Sequence, residues 1–283
     1  MISIIITTKE EEKTLPRAIK AILDEKIPNS ELIVVDPSQE TKKIISQFPF
    51  KIRFIQDKGI GKPAALNLVF QKVEGEILVL TDGDVFVEKG AIKKLLKHFI
   101  DKKIGAVSGH PVPINPRDNL FGYWSHFLTD AADYLRRKKT KKGEYLVCSG
   151  YLYAIRNVIK EIPEDTLVED SIISEMIWQR GYKIIYEPEA KVYVKYPDNF
   201  SDWLKQKIRA TGGYLQSISK QKMRGFLEEI KDGFKLFFTY PKNLKEFFWT
   251  ILLYLARLYL WFLIFWQIKI LKKFHWPRIE STK

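Results

Sequence analysis

The sequence has almost no cysteine, and this excludes two common kinds of structural site. A single residue, Cys148, permits neither an internal disulfide bond nor a cluster of cysteines around zinc. Such a chain fits a reducing compartment, and we expect its catalytic part to lie in the cytoplasm. No secretory signal is recognisable at the start, because residues 2–8 run directly into the charged residues 9–13. We expect the chain to open with the first strand of its fold.

The chain also lacks any recognisable nucleic-acid-binding motif, although it is strongly basic. Lys and Arg number 47 against 34 Asp and Glu, for a formal net charge of +13. That excess favours partners that carry phosphate, such as nucleic acid, anionic lipid or phosphorylated small molecules. Without a motif we predict no nucleic-acid partner. The one biased tract, residues 136–142, holds six basic residues around Thr140, and we interpret it as a solvated loop rather than a phosphate or lipid contact.

Short β-branched runs alternate with helical stretches through the first hundred residues. The runs are 2–7, 31–36, 51–56 and 76–81, and the helical stretches are 14–23, 42–48, 62–73 and 90–100. This alternation predicts an α/β fold with a mostly parallel sheet and helices on both faces. Ligands of such sheets bind beyond the carboxyl ends of the strands, so chemistry is expected just after each run.

Two carboxylates, Asp82 and Asp84, follow the apolar strand 77–80 with one residue between them. They repel one another unless they share a cation, and Mg²⁺ or Mn²⁺ bridging to a diphosphate is suited to that position. An ordinary Asp-Gly turn explains the same residues, because Asp and Gly are common in turns.

The stretch 59–67 enters a helix with two glycines, Lys62 and a proline near its first turn. Helix N-termini favour anions, and Lys62 adds a positive charge suited to phosphate. The spacing is not that of an ATPase phosphate loop, and a plain helix start is the competing explanation.

Adjacent acids, Glu169 and Asp170, precede a predicted helix at 171–179, which is followed by a strand at 181–186. Acids at a helix start often only cap it by accepting backbone N–H bonds. A carboxylate there also suits a general base, if an acceptor hydroxyl comes within hydrogen-bonding reach.

In this order the motifs resemble those of the family-2 inverting glycosyltransferases, which have the GT-A fold. The resemblance spans about residues 1–215. It is carried by Thr7–Leu15, Val34-Val35-Asp36, Gly61-Lys62 with Asn67, Asp82-Gly83-Asp84, Cys148-Ser149-Gly150, Glu169-Asp170 and Gln206-Lys207-Ile208-Arg209.

The resemblance implies a role for each matching residue. Asp170, with Glu169 beside it, is the expected catalytic base. Asp84, assisted by Asp82, is the expected ligand of Mn²⁺ or Mg²⁺. The donor is expected to be a UDP- or GDP-linked sugar, contacted by Thr8, Glu11, Asp36, Lys62, Asp82, Gln206 and Arg209.

Two departures from the family pattern limit these expectations. Lys9-Glu10 replaces the usual aromatic-asparagine pair after the first strand, so that loop does not identify the donor. Ala210 stands where the Gln-x-x-Arg-Trp signature of polysaccharide synthases has tryptophan, which weakens the case for processive synthesis. A polar helix face packed on the core is the alternative role of Gln206 and Arg209.

The C-terminal third differs in composition from the rest. We predict a catalytic domain at 1–200, amphipathic interface helices at 201–246, including 226–240, and a membrane-associated helix with a basic tail at 247–283. The apolar stretch 247–268 is long enough to cross a bilayer, but Arg257 near its middle and basic residues at both ends favour a helix embedded in one leaflet, or a re-entrant segment, over a single span. A helix packed on the catalytic domain or on a second subunit is the alternative.

The sequence therefore predicts a transferase that acts on a lipid-linked or membrane-proximal glycan acceptor. A nucleotide-sugar-binding protein without turnover is the first alternative, and the intact Asp82, Asp84 and Asp170 argue against it. A nucleotidylyltransferase is the second, but it needs a glycine-rich loop after the first strand, and residues 7–13 contain no glycine.

Overall fold

The computed structural model describes residues 1–215 and 236–266 of the chain, with residues 212–215 described by their backbone alone. Eight strands form one sheet: β1 Ile2–Thr7, β2 Ser30–Asp36, β3 Ile52–Gln56, β4 Ile77–Asp82, β5 Phe86–Val87, β6 Ile104–Pro113, β7 Leu152–Arg156 and β8 Lys183–Val194. The main helices are α1 Leu15–Leu23, α2 Gln39–Ile45, α3 Lys62–Phe70, α4 Ala91–Leu96, α5 Leu120–Lys142, α6 Glu169–Gln179, α7 Phe200–Leu215 and α8 Leu244–Trp266. A 3₁₀ turn, Lys97–Ile100, continues α4.

The strand order in the sheet is β3-β2-β1-β4-β7-β6-β8-β5. Pairing is parallel between β1 and β2, between β1 and β4, and between β2 and β3. It is antiparallel between β4 and β7, between β6 and β7, and between β5 and β8. The α/β class is confirmed, and the first four predicted strands form the parallel part of this mixed sheet.

The centre of the sheet is buried on both faces. Five of the six residues in β1 and in β4 are buried, as is typical of parallel strands covered by helices on both sides. Ile5, Ile33 and Leu78 belong to a core that also takes in apolar residues of α3 and α6. This packing fixes where each strand ends relative to its neighbours. It therefore also fixes the position of the residues that follow each strand.

Several element ends differ from those predicted. Helix α2 begins at Gln39 rather than residue 42, because the Ser38 hydroxyl caps it by accepting the backbone N–H of Glu40 at 3.2 Å. Strand β8 continues to Val194. The prediction of a solvated loop at 136–142 is wrong, since these residues form the last turns of α5. Lys and Arg are good helix formers and are favourable near a helix C-terminus, which explains the difference.

The described residues divide into two compact units. The first comprises Met1–Val112 and Arg136–Val194 and is called the catalytic unit because it contains the predicted catalytic residues; the second, called the helical unit, comprises Pro113–Leu135 and the described residues from Lys195 onward. Residues 113–135, which a boundary near residue 200 assigns to the first domain, thus group with the C-terminal helices.

The helical unit is built around an aromatic cluster. The first half of α5 contributes Tyr123, Trp124 and Phe127, and these pack with residues Trp203, Leu253 and Ala256 of α7 and α8. Polar contacts fix the helices in register: the hydroxyls of Tyr123 and Thr250 lie 2.6 Å apart, and the Trp124 indole N–H donates to the carbonyl of Trp249 at 2.9 Å. An ion pair between Arg117 and Glu246, at 3.0 Å, anchors the start of α8.

Helix α8 has an inner and an outer face, and both are apolar. The inner face buries Leu253, Leu260 and Ile264. The outer face exposes Phe248, Leu255, Leu258, Tyr259, Phe262, Phe265 and Trp266. Within the described ranges, α8 is the helix that is long and apolar enough to cross a membrane. Residues 216–235, with most of the predicted interface segment 226–240, and the basic tail 267–283 lie outside the described residues.

Candidate active site

The strand register brings residues from distant parts of the chain to one edge of the sheet. Thr7, the last residue of β1, pairs with Val35 on one side and with Asp82 on the other. Asp36 and Thr8 each follow one residue later, so three predicted site residues lie at neighbouring carboxyl ends of strands, as expected for a ligand site in a parallel sheet.

Lys62, the first residue of α3, bridges two carboxylates. Its ammonium lies 2.6 Å from Oδ1 of Asp82, at the end of β4, and 2.7 Å from Oε1 of Glu169, at the start of α6. Burial by itself lowers the Lys62 pKa, but the two negative charges outweigh it and raise that pKa well above its ordinary value. The Thr7 hydroxyl donates to the same Asp82 oxygen at 3.0 Å. The ammonium of Lys62 therefore connects the Asp82-Gly83-Asp84 motif to the Glu169-Asp170 motif.

Asp170 lies beside this bridge, in the first turn of α6. Burial and, to a smaller extent, the charge of Glu169 raise its pKa to about 7, against the lowering effects of Lys62 and of the backbone N–H groups of Gly150 and Ser171. Oδ1 of Asp170 is buried and has no hydrogen-bond partner among the described residues. Because a pKa near neutrality suits proton transfer, this carboxyl has the properties of a general base.

Asp170 is not the N-cap residue of α6. The residue at the N-cap position is Val168, which has no side chain able to cap, and the helix starts at Glu169. Asp170 does accept a backbone N–H from Ser171, but it also accepts one from Gly150, in a loop that lies outside the helix. The carboxylate is therefore held by two segments rather than serving one helix end.

Ser174 connects that loop to α6, and no sequence pattern indicates this role. Its hydroxyl donates to the carbonyl of Asp170 at 2.6 Å and accepts the backbone N–H of Cys148 at 3.0 Å. A Cβ at Gly150 would lie 3.0 Å from Oδ2 of Asp170, so glycine allows the loop to approach the carboxylate. Burial raises the pKa of the Cys148 thiol to about 12, so the thiol is protonated and is not a nucleophile.

Gly83, between Asp82 and Asp84, is required by close packing. A Cβ there would lie 2.7 Å from the Thr8 hydroxyl and 2.7 Å from a carboxylate oxygen of Glu11. The Thr8 hydroxyl is buried and makes no hydrogen bond to any described residue. These side chains therefore surround the Asp82-Gly83-Asp84 turn, which is more constrained than an ordinary Asp-Gly turn.

The two carboxylates of this turn suit a metal ion whose coordination is completed by phosphate oxygens of the substrate. Within the described residues no group of three or more His, Cys, Asp or Glu side chains forms a closed metal site. Asp82 and Asp84 supply hard carboxylate oxygens, and Mg²⁺ is commonly bound through one or two carboxylates together with substrate phosphates. The donor set therefore suits a divalent ion that arrives with a diphosphate.

Two further carboxylates lie at the ends of β2 and β3. Oδ1 of Asp36 accepts the backbone N–H of Ser38 at 2.6 Å, and Oδ2 of Asp57 accepts that of Gly59 at 2.8 Å. Asp36 is among the predicted nucleotide contacts, and Asp57 is not. The remaining predicted residues, Gln206 and Arg209, lie on α7 in the helical unit.

Comparison with known proteins identifies the family. The profile described as Glycosyl transferase family 2 matches residues 3–162, which is more than half of the chain. The chain belongs to glycosyl transferase family 2.

A relative and two solved structures show how far the likeness extends. The probable glycosyltransferase YdaM of Bacillus subtilis is 27% identical over 260 residues, covering 84% of this chain but 62% of that protein. The chain thus spans less than two thirds of this relative's length. The mannosyltransferase PcManGT of Pyrobaculum calidifontis, solved with GDP-Man and Mn²⁺, shares 19% identity with a TM-score of 0.65, covering 95% of this chain and 81% of that one. Residues 1–349 of TarS from Staphylococcus aureus, solved with UDP-GlcNAc, share 16% identity with a TM-score of 0.52, covering 87% and 77%. These structures confirm the GT-A-like fold.

Proposed function

We propose that this family-2 glycosyltransferase moves a sugar from a nucleoside diphosphate sugar to an acceptor hydroxyl with inversion, at a membrane surface. The observation that carries the proposal is the junction at Lys62. One largely buried cation joins Asp82, from the Asp82-Gly83-Asp84 turn, to Glu169, the neighbour of a carboxyl whose pKa is raised to about 7. A structural ion pair needs no adjacent group poised near neutrality, whereas an acid–base site does.

The reaction follows from what each side chain is able to do. The acceptor hydroxyl attacks the anomeric carbon of the donor as its proton passes to Oδ1 of Asp170, the oxygen without a hydrogen-bond partner in the described structure. A bond forms between the acceptor oxygen and the anomeric carbon, and the bond from that carbon to the diphosphate oxygen breaks. Attack opposite the departing diphosphate inverts the configuration.

The reaction also requires that the negative charge of the departing nucleoside diphosphate be stabilised. Lys62 is held at the N-terminus of α3, where the helix dipole also favours an anion. Asp84 and Asp82 would hold Mn²⁺ or Mg²⁺, which supplies Lewis-acid neutralisation of the diphosphate when bound. The carboxylates around Lys62 keep its side chain charged and in place.

The proposal is tested by transfer assays on the full chain with a panel of nucleotide sugars and a membrane-lipid extract as acceptor. We expect release of nucleoside diphosphate that depends on the acceptor, and a product whose anomeric configuration, read by NMR, is opposite to that of the donor. Chelation of divalent ions and Asp84→Ala should each weaken nucleoside diphosphate binding in calorimetry, while the surface variant Asp101→Ala should bind as the wild type does. Retained configuration contradicts inversion, and equal affinity with and without metal contradicts the metal assignment.

The helical unit supports the membrane part of the proposal. Helix α8 has 23 residues, about 34 Å at 1.5 Å per residue, and its outer face exposes aromatic and aliphatic side chains along this length. Exposed apolar surface on this scale marks an interaction site rather than ordinary surface. The inner face is packed on α5 and α7, so we propose a helix that lies with its outer face in lipid. A lipid-linked or membrane-proximal acceptor, with the catalytic unit in the cytoplasm, agrees with this arrangement.

A further inference from the structure

The segment 157–168, between β7 and α6, leads directly to the acidic pair at the start of α6 and has no helix or strand of its own. Two of its apolar side chains, Ile159 and Ile162, are buried in the core. Apolar burial is not directional, so it holds the segment inside without fixing its register along the neighbouring elements. Directional contacts must therefore fix the position of Glu169 and Asp170 at its end.

Helix α3 supplies such a contact through the side-chain amide of Asn67. Its Nδ2 donates to the carbonyl of Ile162 at 2.8 Å, and its Oδ1 accepts the backbone N–H of Ile162 at 2.8 Å. Asn67 is 6% exposed and Ile162 is 2% exposed, so both bonds lie away from water, where hydrogen bonds are electrostatically stronger. The two bonds reproduce the exchange between paired strand residues, and they fix one point of the segment against the middle of α3.

The contacts of the segment follow α3 in reverse order. At the start of the segment, Asn157 donates through Nδ2 to the carbonyl of Gly75 at 2.9 Å, beyond the end of α3. The bonds of Asn67 come next, inside the helix. Glu169, just past the segment, lies 2.7 Å from the ammonium of Lys62, the first residue of the helix. The segment therefore runs antiparallel to α3, which carries the cation of the site at one end.

We propose that Asn67 is a positioning residue, which holds the segment so that Asp170 meets the acceptor hydroxyl while Lys62 meets the diphosphate. This inference rests on the proposed function, since it concerns the base of that reaction. The ammonium of Lys62 is carried on a long flexible stem, so its ion pair with Glu169 tolerates a shift of α6. The short amide of Asn67 makes two bonds to a single residue and tolerates little. Displacement of a reacting group by about 1 Å can lower a rate about a hundred-fold.

The proposal is tested by comparing Asn67→Leu with Asn157→Leu in the full-length chain. Each substitution removes two hydrogen bonds from a side-chain amide to backbone groups of the catalytic unit. In Asn67→Leu, kcat should fall about a hundred-fold, while calorimetry shows nucleoside diphosphate affinity within about two-fold of wild type, because Lys62 and Asp82 are unchanged. Asn157→Leu should keep kcat within about two-fold, because the Asn67 contact lies between it and the base.

A second measurement shows whether Asn67 acts through Asp170. Effects of residues that act as a unit are not additive, so Asn67→Leu should lower kcat by no more than about two-fold when Asp170 is already replaced by asparagine. Asn67→Ser keeps a polar group and leaves space for a water to bond the Ile162 backbone, so it is used if Asn67→Leu does not melt cooperatively. It should lower kcat about ten-fold, because a water holds the segment less firmly than the amide.

The outcomes separate this proposal from the proposed function. Equal falls in kcat for Asn67→Leu and Asn157→Leu, a matching loss of nucleoside diphosphate affinity, or full additivity with Asp170→Asn overturns the positioning role and leaves the glycosyltransferase proposal standing. Failure of both Asn67 variants to melt cooperatively also overturns it, since Asn67 then serves folding rather than the position of the base. A wild-type protein that transfers no sugar from any nucleotide sugar overturns both proposals.

Discussion

The catalytic unit and the helical unit differ in which energetically unfavourable groups they contain. The catalytic unit buries charged side chains, and the helical unit exposes apolar ones. In the catalytic unit the cost is buried: Glu169 at the start of α6 is buried, and Lys62 at the start of α3 is largely so. In the helical unit the cost is exposed, since most of the large apolar side chains on the described surface, including Leu255 and Phe262, belong to it.

Each arrangement is unfavourable for stability unless something binds there. Buried charges must be paired, and buried acceptors without partners are expensive, which suits a site whose ligand brings hydrogen-bond donors or a cation. A long exposed apolar face is equally unfavourable in water, which suits lipid. The difference teaches that the two units expose different chemistry to a partner: buried polar groups in the catalytic unit and exposed apolar groups in the helical unit.

The largest expected effect is in the catalytic unit. Asp170→Asn keeps the shape of the side chain but removes the basic carboxylate, so turnover should fall by about two to four orders of magnitude while nucleotide binding persists. Steady-state assays and calorimetry on the same preparation measure both quantities. Asp165→Asn, on the exposed loop before α6, is the matched control and should keep full turnover.

The pH profile provides an independent check on Asp170. With its pKa raised to about 7, the base is protonated in acid, so kcat/KM should fall about ten-fold per pH unit below that value. A profile flat from pH 5 to 8 would exclude this carboxyl as the base, even if the Asn variant were inactive.

The second effect concerns the outer face of α8. The double variant Leu258→Glu with Phe262→Glu leaves the packed inner face intact but replaces exposed apolar surface with charge. Fully burying each of the original side chains is worth about 1.5–3 kcal/mol, so partitioning into membranes should drop by at least roughly a hundred-fold. Flotation with anionic vesicles in high salt measures it.

Phe50 of the catalytic unit is the matched control for this experiment. It is 58% exposed, against 59% for Phe262, so Phe50→Glu makes the same chemical change on a comparably open side chain. It should leave membrane binding unchanged. If full-length protein remained monomeric in solution without detergent, α8 would be a packed helix and the membrane proposal would be wrong.

The smallest effect compares ion pairs in the two units. Arg117 lowers the pKa of Glu246, so the pair adds stability above the ordinary carboxyl range near 4.5, and that contribution is lost as pH falls through the lowered pKa. Arg117→Met should therefore cost about 1–2 kcal/mol of unfolding free energy at pH 7, and the difference from wild type should shrink in acid. Denaturant melts at both pH values measure it.

The exposed pair of Lys43 and Glu40 supplies the control in the catalytic unit. Its side chains are 71% and 63% exposed, so Lys43→Met should change stability by no more than about 0.5 kcal/mol. Equal losses in the two variants would show that the Arg117 pair is no better shielded than a surface pair.

The sequence predicted the parallel strands well, because long β-branched runs such as 77–80 have few alternative structures. It also brought Asp82, Glu169 and Asp170 forward as candidates from their places after strands and before helices. Element ends were less predictable: the Ser38 cap moves the start of α2, and a basic tract that is typical of loops instead ends α5.

The sequence does not show which residues that are far apart in the chain come into contact. Lys62 and Glu169 are more than a hundred residues apart, and no local pattern indicates that one ammonium bridges them. Ser174 looks like any polar helix residue until its two hydrogen bonds are seen. Residues 113–135 group with the C-terminal helices for the same reason: they contact residues that lie much later in the chain.

That grouping has a consequence for how the protein is made. The hydroxyl of Tyr123 meets Thr250, a partner 127 residues later in the chain. At the usual pace of translation, about 5–20 residues per second, the aromatic surface of α5 is synthesised on the order of ten seconds before the helix that covers it. Through that interval the nascent chain displays three large aromatic side chains, Tyr123, Trp124 and Phe127, until α8 is synthesised and packs on them.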